Sequence, residues 1–118
     1  YTVPVDYDEA IKHYQLAADK GHIVSIYNIG YLLHEGTPVK RNAEAASYFE
    51  KAAKLGNIYA QSTLASLYSI GQGIKKDKEK SFYWEKQAAE KGHLDSVKEI
   101  AYSYYKGYGV AKNFKHAI

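Results

Sequence analysis

Residues 60–92 read AQSTLASLYSIGQGIKKDKEKSFYWEKQAAEKG, and only two helices joined by a turn give that order of side chains a physical sense. Ala60, Leu64, Ala65 and Tyr68 lie on one face of an α-helix. Gly71-Gln72-Gly73 ends it as a turn, and Asp77 suits the N-cap of a second helix. On that second helix Ser81, Trp84, Glu85, Ala88 and Ala89 share a face, closed three residues later by Gly92. A buried aromatic or large aliphatic side chain contributes about 1.5–3 kcal/mol, and one such hairpin has too few of them to hide its own face. Neighbouring copies must therefore stack.

The copies are present. Gly21, Gly56 and Gly92 recur at intervals of 35 and 36, each three residues after the second alanine of Ala17-Ala18, Ala52-Ala53 or Ala88-Ala89. A second set, Gly36, Gly71 and Gly107, falls 15 residues after the first. Val3, Val39, Ile74 and Val110 are spaced by 36, 35 and 36, and each is followed three positions later by Asp6, Asn42, Asp77 or Asn113, the expected N-caps. A fixed period of this length is the mark of a repeat architecture. The spacing predicts helices over 6–20, 22–35, 43–55, 58–69, 78–91 and 94–106, with another starting at Phe114. The repeat units run 3–38, 39–73 and 74–109, and a fourth starts over 110–118. The equivalent helix faces are Ser25, Ile29, Gly30, Leu33 and Ser96, Ile100, Ala101, Tyr104 in one set. In the other they are Ala10, His13, Tyr14, Ala17, Ala18 and Ala45, Tyr48, Phe49, Ala52, Ala53.

Composition narrows the function. The 118 residues are 46% hydrophobic and 25% charged, enough for one core, and no apolar run is long enough to cross a bilayer. The formal charge of +3 comes from interleaved lysine and glutamate, which favours solubility over a nucleic-acid partner. Without cysteine there is no disulfide, no thiolate nucleophile and no Cys-ligated zinc, while the compartment stays open. Of the five histidines, His22 and His93 share one repeat position at a helix start, and no pair has the i, i+3 or i+4 spacing of a metal site. No Gly-x-Ser-x-Gly elbow occurs, and Gly71-Gln72-Gly73 and Gly107-Tyr108-Gly109 follow helices rather than strands, as turns rather than phosphate loops. No catalytic, cofactor or metal residue is assigned.

The spacing small-x-x-x-Leu-Gly-x-x-Tyr-x-x-Gly-x-Gly-Val-x-x-Asp, then Ala-x-x-Trp/Tyr-Tyr-x-x-Ala-Ala-x-x-Gly, is met nearly position by position by Ala60–Asp77 and Ser81–Gly92. In this the chain resembles the Sel-like repeat family, relatives of the tetratricopeptide repeat, over almost its whole length. The departures are Leu33 for tyrosine, Thr37-Pro38 for Gln-Gly, one residue fewer before Ala45, and His13 and Glu85 where a ring is expected. A distorted turn near Pro38 and a looser seam near Glu85 follow as expectations. The resemblance implies an all-α, right-handed superhelical α-solenoid of about three stacked antiparallel helix pairs. It also implies a scaffold or adaptor that binds a protein or peptide on its concave face. Some relatives have been linked to hydrolase-type activity, but those are cysteine-rich and this chain has no cysteine, so no enzymatic role and no cofactor are expected.

In arrays of this kind the Leu-Gly helix lines the concave side. The residues flanking its buried face are then Tyr27, Tyr31 and His34; Ser62, Ser66 and Ser69; and Lys98, Tyr102 and Tyr105. Tyrosines at both ends of a serine floor would anchor an extended peptide. Tyr14, Tyr68 and Tyr104, in contrast, read as core. Two rival functions are binding to an anionic surface or nucleic acid through Lys40-Arg41 and Lys75-Lys76, and service as a spacer in a longer solenoid. The register opens in a loop and stops within a helix at Phe114–Ala117, as in a piece of a longer array. The expectation is that Ile100, Tyr104 and the first helix stay partly open, inviting end-to-end association.

Overall fold

The computed structural model of the chain describes residues 6–36 and 41–106. Six α-helices follow one another: α1 (Tyr7–Asp19), α2 (Ile23–Tyr31), α3 (Asn42–Lys54), α4 (Ile58–Ile70), α5 (Lys78–Glu90) and α6 (Leu94–Lys106). There is no strand among the described residues. Each helix packs against the next in sequence, and the molecule measures 55 × 28 × 25 Å with a radius of gyration of 15.9 Å. A compact domain of this length has a radius near 13.5 Å, so the helices form a drawn-out stack, an all-α solenoid.

The alanine pair and its glycine terminate the first helix of each hairpin by one mechanism. Gly21, Gly56 and Gly92 have φ of 88°, 101° and 89°, a left-handed backbone that only glycine adopts without cost. The turn lets Gly21 N–H reach Ala18 O at 2.9 Å and His22 N–H reach Ala17 O at 3.1 Å. Ala52-Ala53 and Ala88-Ala89 receive the same two bonds. The pair therefore supplies last-turn carbonyls as well as side chains small enough for a close helix approach.

N-caps follow the sequence at two of three described positions. Asp6 accepts from Glu9 N–H and Asp77 from Lys80 N–H, both at 3.0 Å. Asn42 does not cap, contrary to expectation: it is the first residue of α3, and Arg41 holds the N-cap with no side-chain bond. The missing residue before Ala45 moves the register by one and draws Asn42 into the helix. There its Oδ1 lies 3.2 Å from His34 Nδ1. Asn113 lies outside the described residues.

The helix expected over 22–35 is regular only to Tyr31 and then widens into a π-helical turn, Leu32–Gly36. Pro38 and the distortion expected around it lie outside the described residues. The core is concentrated in α2, α3 and α4, where Ile29, Phe49 and Leu64 are fully buried. Gly30 makes this seam possible: a Cβ there would sit 2.9 Å from Phe49 Cε1. At the next seam α5 buries only Ala88 and α6 only Ser96. Tyr68 is buried as expected, Ile100 and Tyr104 are half-buried, and α1 buries no residue fully.

Candidate functional site

Two hollows open on either side of α4, and Ser62 and Ser66 line both. The smaller, about 290 Å³, is walled by Tyr27, Tyr31, His34, Phe49, Leu67 and Ile70. The larger, about 540 Å³, lies between α4, α5 and α6. It is more polar: Ser69 and Ser81 join the shared serines, and Glu85, Asp95 and Glu99 bring carboxylates.

Of the residues singled out from the sequence, Tyr27 is half-buried, its ring 5.6 Å from that of Phe49 and 6.3 Å from that of Tyr59. Tyr31 stands at the smaller hollow, 51% exposed. His34 sits in the π-turn with its ring edge-on to Phe49. Ser66 Oγ donates back to Ser62 O at 3.3 Å, so its hydroxyl oxygen faces outward as an acceptor. Ser69 and Tyr102 line the larger hollow. Lys98 and Tyr105 are exposed on α6 and line neither. Lys106 Nζ lies 5.9 Å from the centre of the Tyr102 ring and 5.4 Å from that of Tyr105.

The sequence reading passed over Glu85 as a functional group, although the broken aromatic column pointed to it. Phe49, at the equivalent place one repeat earlier, is 1% exposed and fills its seam. Glu85 leaves the corresponding space open. Burial pushes its carboxyl above the usual carboxylate range, Glu99 and Asp95 push the same way, and a Ser96 hydrogen bond and His93 pull it back. The Ser96 hydroxyl, itself buried, bridges Glu85 to His93 Nδ1, 2.9 Å away. Ser96 N–H also lies 3.3 Å from His93 Nδ1.

Among the described residues no group of three or more His, Asp or Glu side chains is placed to hold a metal ion, and no described helix is long and apolar enough to cross a membrane. Arg41, Lys75 and Lys76 are exposed, whereas Asp77 beside them is engaged as a cap. Lys40 lies outside the described residues.

Comparison with known proteins agrees with this architecture. The Sel1 repeat family model matches residues 1–22, 23–57, 58–93 and 98–118. No curated protein matches the sequence. Among solved structures, c5321, a protective antigen of uropathogenic Escherichia coli strains with an SLR fold, is 31% identical with a TM-score of 0.86, over 95% of this chain and 24% of its own. A Sel1 repeat protein from Oxalobacter formigenes is 34% identical with a TM-score of 0.80, over 95% of this chain and 46% of its own. Helicobacter pylori cysteine rich protein B is 27% identical with a TM-score of 0.71, over 98% and 84%. The chain thus spans about a quarter and just under half of the first two of these proteins. With four consecutive matches covering nearly every residue, the chain belongs to the Sel1 repeat family.

Proposed function

We propose that the chain is a protein-interaction module that takes an extended segment of a partner along the face bearing Tyr31, Ser62, Ser66 and Tyr102. Sel1 repeat proteins serve in general as protein–protein interaction scaffolds, which supports the coarse reading. The finer one rests on a single observation: the two hollows flank α4 and share its Ser62–Ser66 edge. Tyr31, lining the smaller hollow, and Tyr102, lining the larger, are each half-exposed. Tyrosine loses little side-chain freedom on binding and offers both a ring and a hydroxyl, which makes it a strong anchor. The exposed Ser66 and the half-buried Ser62 between them suit the N–H groups of an extended backbone.

The test is to select binders from a random dodecapeptide library and map them by amide chemical-shift changes on ¹⁵N-labelled protein. The shifts are expected on α2, α4 and α6, and Tyr31→Ala/Tyr102→Ala should weaken binding tenfold or more, about 1.4 kcal/mol. Unchanged affinity in that double variant would reject the assignment. The rival reading, attraction of anionic surfaces to Arg41, Lys75 and Lys76, predicts affinity that collapses as salt rises. A tyrosine-anchored complex keeps most of its affinity.

A further inference from the structure

Among the differences between the two seams of the array, one pair of positions bears on the space between the helices. In the first, Gly30 leaves room for Phe49. In the second, Ala65 and Glu85 occupy the equivalent places, and the absent ring leaves the hollow of about 540 Å³. Three carboxylates line that hollow, Glu85, Asp95 and Glu99, and Lys78 is the lysine among the lining residues. A chain with a formal charge of +3 thus turns a negative wall toward this hollow alone of the two. From α4 the facing polar groups are serines, and from the turn before α6 comes His93, whose Nδ1 is occupied by Ser96.

We infer that the larger hollow is a socket for the arginine or lysine side chain of a bound segment, with Glu85 as its floor and Asp95 and Glu99 as its wall. This rests on the groove reading and adds the chemistry of the partner. The smaller hollow, walled by Tyr27, Phe49, Leu67 and Ile70, takes an apolar side chain of the same segment. Helix α4 separates the two, a distance of about 10 Å from helix packing. An extended peptide covers that in three residues at about 3.3 Å each. The recognised pattern is therefore a large apolar residue and a basic residue about three positions apart. A guanidinium suits the site better than an ammonium, since it can bond two carboxylates and a serine oxygen at once. Glu85, which accepts from Ser96, is the least exposed of the three carboxylates, so a cation seated on it is the most shielded from solvent.

The random dodecapeptide selection described above also tests this. Enriched sequences should carry arginine or lysine two to four residues from a large apolar residue, and the basic preference should vanish when selection is repeated on Glu85→Gln. For one enriched peptide, glutamine in place of its arginine should weaken binding about tenfold, the loss of one charge-assisted hydrogen bond. The shift changes removed should be those at Glu85, Ser96 and Glu99. Asp95→Asn and Glu99→Gln, further from the packed seam, give a second reading if Glu85→Gln alters the fold. Enriched peptides that bind this face without a basic residue would overturn the socket and leave the groove standing. Peptides that map to another face would overturn both.

Discussion

Gly30 and Glu85 show how single side chains set the character of each seam. A Cβ at Gly30 would press on Phe49, which is fully buried and cannot turn away. Overpacking of that kind costs about 1–3 kcal/mol and outweighs the gain of about 1 kcal/mol that alanine brings to a helix. Gly30→Ala should therefore lower the urea midpoint. If it raised the midpoint, the seam would be looser than the Phe49 contact implies. Glu85 is the converse case, a carboxyl held above its usual range chiefly by burial, facing Ser96, Glu99, His93 and Asp95. The folded state then binds this proton more tightly than the unfolded chain does. Its ionisation opposes folding as pH rises through the folded value, and the penalty is absent below the unfolded one. Glu85→Gln should raise thermal stability at neutral pH, with the advantage shrinking as pH falls into the ordinary carboxylate range. A gain independent of pH would place its origin elsewhere than in the charge. Because the same variant is expected to bind the arginine peptide less well, weaker binding cannot be ascribed to unfolding.

At the level of the helices, most of the architecture was legible because the signals are local. The alanine pair, the glycine and the cap each act within about one turn, so a fixed spacing exposes them. Asn42 was misread for the same reason: its distance from Val39 matches the other repeats, but its distance from Ala45 does not, and the helix face set the register. The π-turn at Leu32–Gly36 was not expected, since the spacing predicts a regular helix to residue 35. What spacing alone does not give is the partner of each side chain across a seam. The Gly30–Phe49 fit and the hollow over Glu85 depend on residues about 20 positions apart meeting in space. The misread cap supplies a prediction. Arg41 sits at the α3 N-cap with φ of −111°, ψ of 67° and no side-chain acceptor. Arg41→Asp should stabilise the protein by about 0.5–1 kcal/mol. Asn57→Ala, which removes the 2.8 Å acceptor of Ala60 N–H, should cost about 1 kcal/mol. Thermal melts of the two variants check both; equal melting temperatures would mean that neither helix start limits stability.

Across the whole molecule, a stack in which each helix packs mainly against its sequence neighbours cannot share stability evenly. Nearest-neighbour coupling makes local packing govern local opening. The packing is uneven: α4 has six buried residues, among them Leu64 and Leu67, and α3 has five, whereas α5 and α6 have one each and α1 has none. Amide hydrogen exchange should therefore be slowest in α3 and α4, where opening requires the global transition. It should be markedly faster in α6, which can detach from the hollow-bearing seam. Filling that hollow reverses the order at one place. Ala65→Gly/Glu85→Phe rebuilds the Gly30–Phe49 pair in the second seam, and burying the ring contributes about 1.5–3 kcal/mol against about 1 kcal/mol for a helical glycine. The double variant should slow exchange in α5 and α6 while leaving α2 unchanged, and it should lose the arginine socket as the space closes. Exchange slowed evenly from α1 to α6 would instead mean one cooperative core, a behaviour that an open stack held mainly by neighbour contacts does not produce.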